Sequence, residues 1–221
     1  MSDHKFWDVF RDPLWLLHNL YKKYKVITIP INGGYSLSNV NGGVSQTTGY
    51  LMVNTSVTAL SRGMAYFLPH GLNSGTIYQH RVDWTKRLEL SFIVSRANSD
   101  VQVVARVQLK ELATEGALGE RGIGIEINNY SMNGEAYGTA RDTVAIGALT
   151  DLLIARVRIV LTSASVEFWV NGVLQGTLTG TAIPNIAGTV NANMVISIIN
   201  GAAGGVNAQE VISNIQIIQA W

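Results

Sequence analysis

The chain contains no cysteine among its 221 residues. Disulfide bridges, thiolate zinc sites and cysteine nucleophiles are therefore excluded. Charged residues are also scarce, at 14% of the chain with a formal net charge of +1. A nucleic-acid-binding surface needs a cluster of basic side chains to neutralise phosphates, so we expect no nucleic-acid partner.

Long apolar runs are missing as well. The apolar stretch near the N-terminus is interrupted by Asp8, Arg11, Asp12 and Pro13. It is too short to cross a bilayer, and it lacks the small-residue cleavage site of a secretory leader. We therefore expect neither a signal peptide nor a membrane span.

The chain has instead 22 glycines and many short segments in which every second residue is apolar. In 101–109 the odd-numbered residues are all apolar, and in 153–161 the same pattern turns Leu153, Ala155 and Val157 inward. Such alternation is typical of antiparallel strands with one buried and one wet face. Turn signals such as Asn133-Gly134 and Asn171-Gly172 separate the segments. The predicted strands lie near 26–31, 48–54, 64–68, 88–94, 101–109, 123–127, 135–139, 153–161, 166–170, 173–178, 194–199 and 211–219.

Residues 4–25 have a different apolar periodicity, which predicts a short N-terminal helix. Asp12-Pro13 is a favourable helix start, since Asp caps free N–H groups and Pro has none to leave unpaired. We therefore predict a helical arm over 1–25 and one all-β domain, a two-sheet antiparallel sandwich, over 26–221. An isolated helix of this length is marginal in water, so the arm must pack on something. The residues expected to make oligomer or anchor contacts are Trp7, Phe10, Leu14, Trp15 and Leu17.

Three roles for this arm stay open. It can mediate self-association or anchor the chain in a larger assembly, or it can pack on its own sandwich. A helix lying on a membrane surface would use its Trp, Phe and Leu side chains with the nearby lysines, but we do not favour this reading.

Two segments resemble a known family. The stretch RVRIVLTSASVEFWVNGVLQGTL at 156–178 resembles the hallmark hairpin of the concanavalin A-like (laminin G-like) jelly rolls, with Asn171-Gly172 as its turn. The C-terminal run EVISNIQIIQAW at 210–221 resembles the last strand of the same families, which returns beside the N-terminal strand. The resemblance implies the fold, and a shared fold does not transmit function.

Catalytic signals are weak. Retaining β-glucanases of this fold carry a Glu-x-Asp-x-x-Glu strand, and the sequence has no match to it. Glu126 and Glu167 lie on predicted strands and would be the carboxylate pair of a glycosidase if they faced one groove. Isolated glutamates on wet strand faces are more often merely solvated, so no catalytic residue is assigned and we do not expect an enzyme.

Metal signals are equally weak. Calcium sites in this fold use clustered Asp, Asn and backbone oxygens. Asp100 with Asn98, or Asp83, would be the donors here, although acids that cap turns explain them better. The four histidines show no metal spacing. We therefore predict no metal site and no cofactor.

The segment EINNYSMNGEAY at 126–137 is the best candidate for ligand binding. Two tyrosines would stack on sugar faces while amide and carboxylate groups bond to hydroxyls, a pairing typical of sugar pockets. The alternative is a hairpin with an Asn-rich tip and tyrosines that cover neighbouring strands. Trp84 and Trp169 are further candidates. The predicted ligand-binding residues are Asn128, Asn129, Tyr130, Asn133, Glu135 and Tyr137.

Taken together, these patterns favour a non-enzymatic recognition or attachment module that binds glycan. Display on a cell surface or virion is favoured over the cytoplasm. One alternative is a homo-oligomeric structural subunit that associates through residues 4–25. A further alternative is a glycoside hydrolase or lyase.

Overall fold

The computed structural model of the protein describes residues 24–28, 35–37, 41–47, 50–67, 81–97, 103–112, 114, 116–150, 153–185, 189–201 and 208–220. These ranges hold seventeen strands and one 3₁₀ turn at Gly180–Ala182. In chain order the strands are β1 (Tyr24–Thr28), β2 (Tyr35–Leu37), β3 (Gly43–Thr47), β4 (Tyr50–Asn54), β5 (Arg62–Phe67), β6 (Arg81–Asp83), β7 (Leu88–Ala97), β8 (Val104–Lys110), β9 (Gly122–Asn128), β10 (Ser131–Tyr137), β11 (Arg141–Ala148), β12 (Ile154–Leu161), β13 (Val166–Val170), β14 (Val173–Leu178), β15 (Thr189–Asn191), β16 (Asn193–Ile199) and β17 (Gln209–Ala220).

Two large antiparallel sheets form the sandwich. The eight-stranded sheet has the order β14-β13-β12-β7-β17-β4-β3, and β1 also pairs with β17. The seven-stranded sheet has the order β11-β10-β9-β8-β16-β5-β2. Strands β6 and β15 pair as a separate two-stranded ribbon. The predicted two-sheet antiparallel sandwich is therefore confirmed.

The core lies between the two sheets and is built from the predicted alternation. Ala105, Val107 and Leu109 are buried on β8. The inward-facing apolar residues of β9, in the same sheet, and of β7, in the opposite sheet, are buried as well. Apolar burial of this kind is the dominant favourable contribution to folding. Leu153 is an exception, because it is 54% exposed and precedes the first residue of β12. The prediction that it turns inward was wrong.

Two further predictions about local structure differ from what is observed. Asn133-Gly134, predicted as a turn, lies in the middle of β10, and the hairpin turns instead at Asn129-Tyr130. Asn129 adopts a left-handed φ of 59°, which Asn tolerates better than most residues. Alternation missed one long strand, β11, because most of its side chains are exposed and give no clear apolar period. The other missed strands, β2, β3, β6 and β15, have three to five residues each.

Residues 1–23 lie outside the described residues, and with them the predicted helix and its contacts through Trp7, Phe10, Leu14, Trp15 and Leu17. Strand β1 begins at Tyr24, two residues before the predicted domain boundary, so Tyr24 and Lys25 are extended rather than helical. Among the described residues, no helix has the length and apolar character needed to span a membrane.

Candidate functional site

The predicted ligand-binding residues all lie on the β9–β10 hairpin, but they are spread along its length. Tyr130 is at the tip, and Tyr137 is the last residue of β10. At about 3.4 Å per residue the two tyrosines are separated by roughly 24 Å along the strand, so they cannot stack on one sugar ring. Asn128 is exposed, whereas the side chains of Asn129, Tyr130, Asn133 and Tyr137 are half-buried.

Glu135 differs most from its predicted role. Its side chain has no exposed surface. One carboxylate oxygen accepts a hydrogen bond from the Gln108 amide, and the other lies 2.9 Å from Nη2 of Arg141. The carboxylate of Glu135 is therefore a partner of protein groups and does not face the solvent, contrary to the prediction.

Glu135 belongs to a charged network on the outer face of the seven-stranded sheet. Arg141 Nη2 lies 2.9 Å from Glu135 and 3.4 Å from Glu126, so one guanidinium nitrogen links the two carboxylates. On the next strand, Nη2 of Arg106 lies 2.9 Å from the same oxygen of Glu126. Each carboxylate of the pair is thus already paired with an arginine of the protein.

The segment that follows β8 covers part of this face. The amide of Gln108 donates to the backbone carbonyl of Gly116 at 3.0 Å. Lys110 Nζ is buried, 3.7 Å from Glu120 on the same covering segment. Burial lowers the pKa of the Lys110 ammonium, and the carboxylates of Glu120 and Glu135 oppose that shift. The part of this face around Gln108 and Lys110 is consequently occupied by the protein's own groups.

The predicted carboxylate pair Glu126 and Glu167 is not brought together. Glu126 lies on β9 of the seven-stranded sheet, and Glu167 lies on β13 of the eight-stranded sheet. Both alternate with buried residues, so they point to opposite outer faces of the sandwich. The alternative in which they face one groove is therefore not observed, because sequence alternation shows which residues are exposed to solvent but not which sheet carries them.

The other candidates resolve into structural roles. Asp83 Oδ1 accepts bonds from the backbone N–H and the hydroxyl of Thr85, at 3.0 and 2.6 Å, as an acid that caps a turn does. Trp84 is 1% exposed, and its Nε1 donates to Glu111 at 3.1 Å. Asn98 and Asp100 lie outside the described residues. No group of three or more His, Asp or Glu side chains in the described part of the chain is placed to hold a metal ion.

A groove of about 990 Å³ lies on the outer face of the eight-stranded sheet. Side chains that are paired across neighbouring strands form rows along the groove. The first row crosses four strands: Trp169 is opposite Arg158, Arg158 is opposite Ser91, and Ser91 is opposite Gln216. Neighbouring strands are about 4.8 Å apart, so the row spans roughly 14 Å. The small Ser91 side chain stands between much larger ones, which explains why a depression forms there.

The Trp169 end of this row is held by charged groups. The indole Nε1 donates to Glu167 at 3.2 Å, and the guanidinium carbon of Arg158 lies 5.7 Å from the ring centroid. Arg158 is itself ion-paired with Glu89, at 2.8 Å from Nε, and this hydrogen-bonded partner raises the pKa of Arg158. The nearby cation and the hydrogen bond that the indole N–H donates both restrict the orientation of the ring.

The second row supplies polar groups. Asn171 sits in the β13–β14 turn with φ 51°, and its Oδ1 accepts the backbone N–H of Arg156 at 2.9 Å. At the opposite wall Asn214 has φ 53° and lies in a register shift of β17 between Ser213 and Gln216. A bulge re-aims side chains at a sheet surface, and here it gives the groove an exposed amide.

Only part of this groove had a sequence signal. Trp169 and the Asn171-Gly172 turn are visible in the hairpin motif, and the alternation of Arg156 and Arg158 shows that both are wet. Alternation over 88–94 places Ser91 on the solvent-facing side, but it does not place Ser91 or Asn214 in a groove, because that depends on how β7 and β17 pair with β12. No local pattern encodes that pairing.

Comparisons with known proteins show the fold. An endo-β-1,3(4)-glucanase of family GH16 superposes with a TM-score of 0.60 at 11% identity, over 90% of this chain and 92% of that one. The carbohydrate recognition domain of Emp47p superposes with a TM-score of 0.55 at 8% identity, over 90% of this chain and 97% of that domain.

The fold is that of the concanavalin A-like jelly rolls. A sialidase also matches, with a TM-score of 0.55 at 13% identity over 88% of this chain, but the chain spans only 18% of its length. No protein-family model matches the sequence, and no curated protein matches it. Identities of this size show a shared concanavalin A-like fold and leave the function to be argued from the site.

Proposed function

We propose that the chain is a non-enzymatic carbohydrate-binding module and that glycan occupies the groove over Trp169. The observation that carries this proposal is an oriented indole at one end of the groove, with the amide of Asn171 on the same strand segment and those of Asn214 and Gln216 at the opposite wall. A sugar ring has an apolar face and a rim of hydroxyls, and it needs an aromatic surface together with a few placed polar groups. The groove volume is within the range of small-molecule sites.

The distribution of carboxylates supports binding rather than catalysis. Glycoside hydrolysis requires two carboxyl groups that flank the scissile bond. The described residues that line the groove include no Asp or Glu. On the other sheet, Glu126 and Glu135 are both engaged by Arg141, and Glu135 is buried.

The concanavalin A-like fold fits carbohydrate binding, since a carbohydrate recognition domain and a glucanase are among its matches. These proteins do not transfer their ligands to this chain at such low identity. The exposed end of the β9–β10 hairpin remains a second proposed location for glycan, with Asn128, Asn129 and Tyr130 at its tip. Display on a cell surface or virion is part of the same proposal.

Trp169→Ala tests the groove. We expect the protein to bind a subset of an immobilised glycan array, and the alanine variant to lose affinity about tenfold or more, as truncation of a central aromatic contact usually does. Calorimetry with the best array ligand measures the dissociation constant, with and without Ca²⁺. Trp169→Phe should keep most of the affinity, because it keeps an aromatic surface.

Tyr137→Ala is the matched control, since it removes a half-buried aromatic side chain from the other sheet. Thermal unfolding of each variant separates loss of the site from loss of the fold. If Tyr137→Ala weakens binding and Trp169→Ala does not, the glycan site lies on the hairpin sheet. Absence of any glycan binding by the parent protein would remove the carbohydrate proposal.

A further inference from the structure

We infer that the groove selects an anionic saccharide and that Arg156 binds its carboxylate or sulfate group. This inference rests on the proposed glycan site over Trp169 and adds the chemical class of the ligand. It depends on the different surroundings of the two arginines in the groove, Arg156 and Arg158.

Arg158 is already neutralised by the protein. Its Nε lies 2.8 Å from one oxygen of Glu89, and its Nη2 donates to the other oxygen at 2.9 Å. The Nη2 contact is a charge-assisted hydrogen bond, whereas Nε lies close to Glu89 without a hydrogen-bond partner among the described residues. The charge of Arg158 is therefore compensated by Glu89, and its guanidinium lies beside the ring of Trp169.

Arg156 lies in the next row and has no such partner. Its guanidinium forms no ion pair with any described residue, and its side chain is exposed. Its backbone is nevertheless held firmly, since the N–H donates to Asn171 Oδ1 and the carbonyl accepts the Asn171 N–H, both at 2.9 Å. The groove thus presents one arginine that no described residue neutralises, on a backbone position that Asn171 holds.

The carboxylate of Glu167, which is also on this face, does not cancel that charge. Glu167 bonds to the indole of Trp169 and lies four residues before Asn171, which faces Arg156. Four residues of extended strand span about 14 Å, which exceeds the Debye length of about 8 Å at physiological ionic strength. An anion at Arg156 is therefore attracted without strong repulsion from Glu167.

The spacing suits a sugar acid. Trp169 and Asn171 are two residues apart on one strand, about 7 Å, so a ring stacked on the indole can direct a substituent toward Arg156. A planar guanidinium matches a carboxylate or sulfate through two parallel N–H donors, which an ammonium group cannot reproduce. Neutral sugars offer the guanidinium only hydroxyl acceptors, which form weaker hydrogen bonds than an anionic group, so the contact favours the anionic class.

The test uses an array that carries neutral glycans together with uronate-containing, sialylated and sulfated ones. We expect the anionic members to dominate binding. Arg156→Gln should weaken binding of the best anionic glycan by about 10- to 100-fold, the usual range for a charge-assisted hydrogen bond. Arg156→Lys should recover part of the loss, and added NaCl should weaken the parent more than Arg156→Gln.

Arg87→Gln serves as the control, because it removes an exposed arginine that does not line the groove. If only neutral glycans bind, Trp169→Ala abolishes binding and Arg156→Gln has no effect, the anionic inference fails while the groove proposal stands. If anionic glycans bind and neither Trp169→Ala nor Arg156→Gln changes the affinity, both proposals fail. Both also fail if no glycan binds.

Discussion

Glu210 shows how much a single residue can depend on its surroundings. On β17 it lies opposite Arg96 of β7 and Val53 of β4, inside the sandwich, with no exposed surface. No described residue donates a hydrogen bond to its carboxylate oxygens. Burial raises the pKa of Glu210 to about 8, although Arg96 and Arg106 oppose the shift. The folded protein therefore keeps a proton on Glu210 at pH values where the unfolded chain has released it.

This difference predicts the pH dependence of stability. Between the ordinary Glu value near 4.5 and about 8, the folded state binds more protons than the unfolded state. The free energy of unfolding should therefore fall as pH rises across that window, by up to about 1.4 kcal/mol per pH unit from this group. Glu210→Gln should remove this contribution and flatten the curve measured by urea unfolding from pH 5 to 8.

Asp142→Asn is the control for that measurement, because Asp142 is an exposed carboxylate and its loss should leave the slope unchanged. An identical slope in the parent and in Glu210→Gln would show that Glu210 titrates normally in the folded protein.

Strand β10 shows why an element needs a particular residue at one position. Gly134 pairs with Ile125 and Val144 in the middle of the sheet, and it faces the ring of Phe168 on the opposite sheet. A Cβ at Gly134 would lie 2.5 to 2.7 Å from carbons of that ring. The missing side chain therefore makes room for Phe168 and does not serve a turn, which explains why the Asn-Gly pair was misread.

Gly134→Ala should consequently overpack the core. We expect a loss of about 1–3 kcal/mol in the free energy of unfolding, the usual cost of an added methyl group in a packed interior. Chemical denaturation measures it. Gly119→Ala is the matched control, since its Cβ would meet nothing within 4 Å.

A double variant shows whether the contact with Phe168 is the cause. Gly134→Ala combined with Phe168→Leu should cost less than the sum of the two single changes, because the smaller side chain leaves space for the new methyl group. Additive costs would mean that Gly134→Ala acts elsewhere.

At the scale of the whole molecule, β17 connects β7 and the strands beyond it to β4, β3 and β1 within the eight-stranded sheet. It pairs with β7 on one side, and on the other side with β4 through Gln209–Ser213 and with β1 through Gln216–Ala220. Removing β1 would leave Gln216–Ala220 of β17 unpaired on that side. Exposed strand edges promote association between chains.

A chain that starts at Ile31 should therefore unfold at a temperature about 5–10 °C lower than one that starts at Lys23, since it loses the five pairings of β1. It should also aggregate more readily in light scattering. Equal melting temperatures would show that β1 adds little to the stability of the sheet.

Comparing the oligomeric state of the full chain with that of the chain that starts at Lys23 tests the proposed self-association through residues 4–25. If both are monomeric, that proposal is excluded.

Local sequence determined most of the strands of this protein. The two-residue period identifies the buried faces of β7, β8 and β9, and Asn171-Gly172 identifies the turn of the β13–β14 hairpin, because both depend on neighbours along the chain. The hairpin at 156–178 also resembles that of the concanavalin A-like jelly rolls, and this resemblance implied the fold.

Tertiary structure decided the site. Whether Glu126 and Glu167 share a face depends on sheet membership, and whether Glu135 meets water depends on Gln108 and Arg141, which come from other strands. The groove likewise exists only because β7 and β17 place Ser91 and Gln216 in register with Arg158 and Trp169. Strand pairing is a long-range property, since loop closure and packing across the whole core select it, and no segment of the sequence contains it.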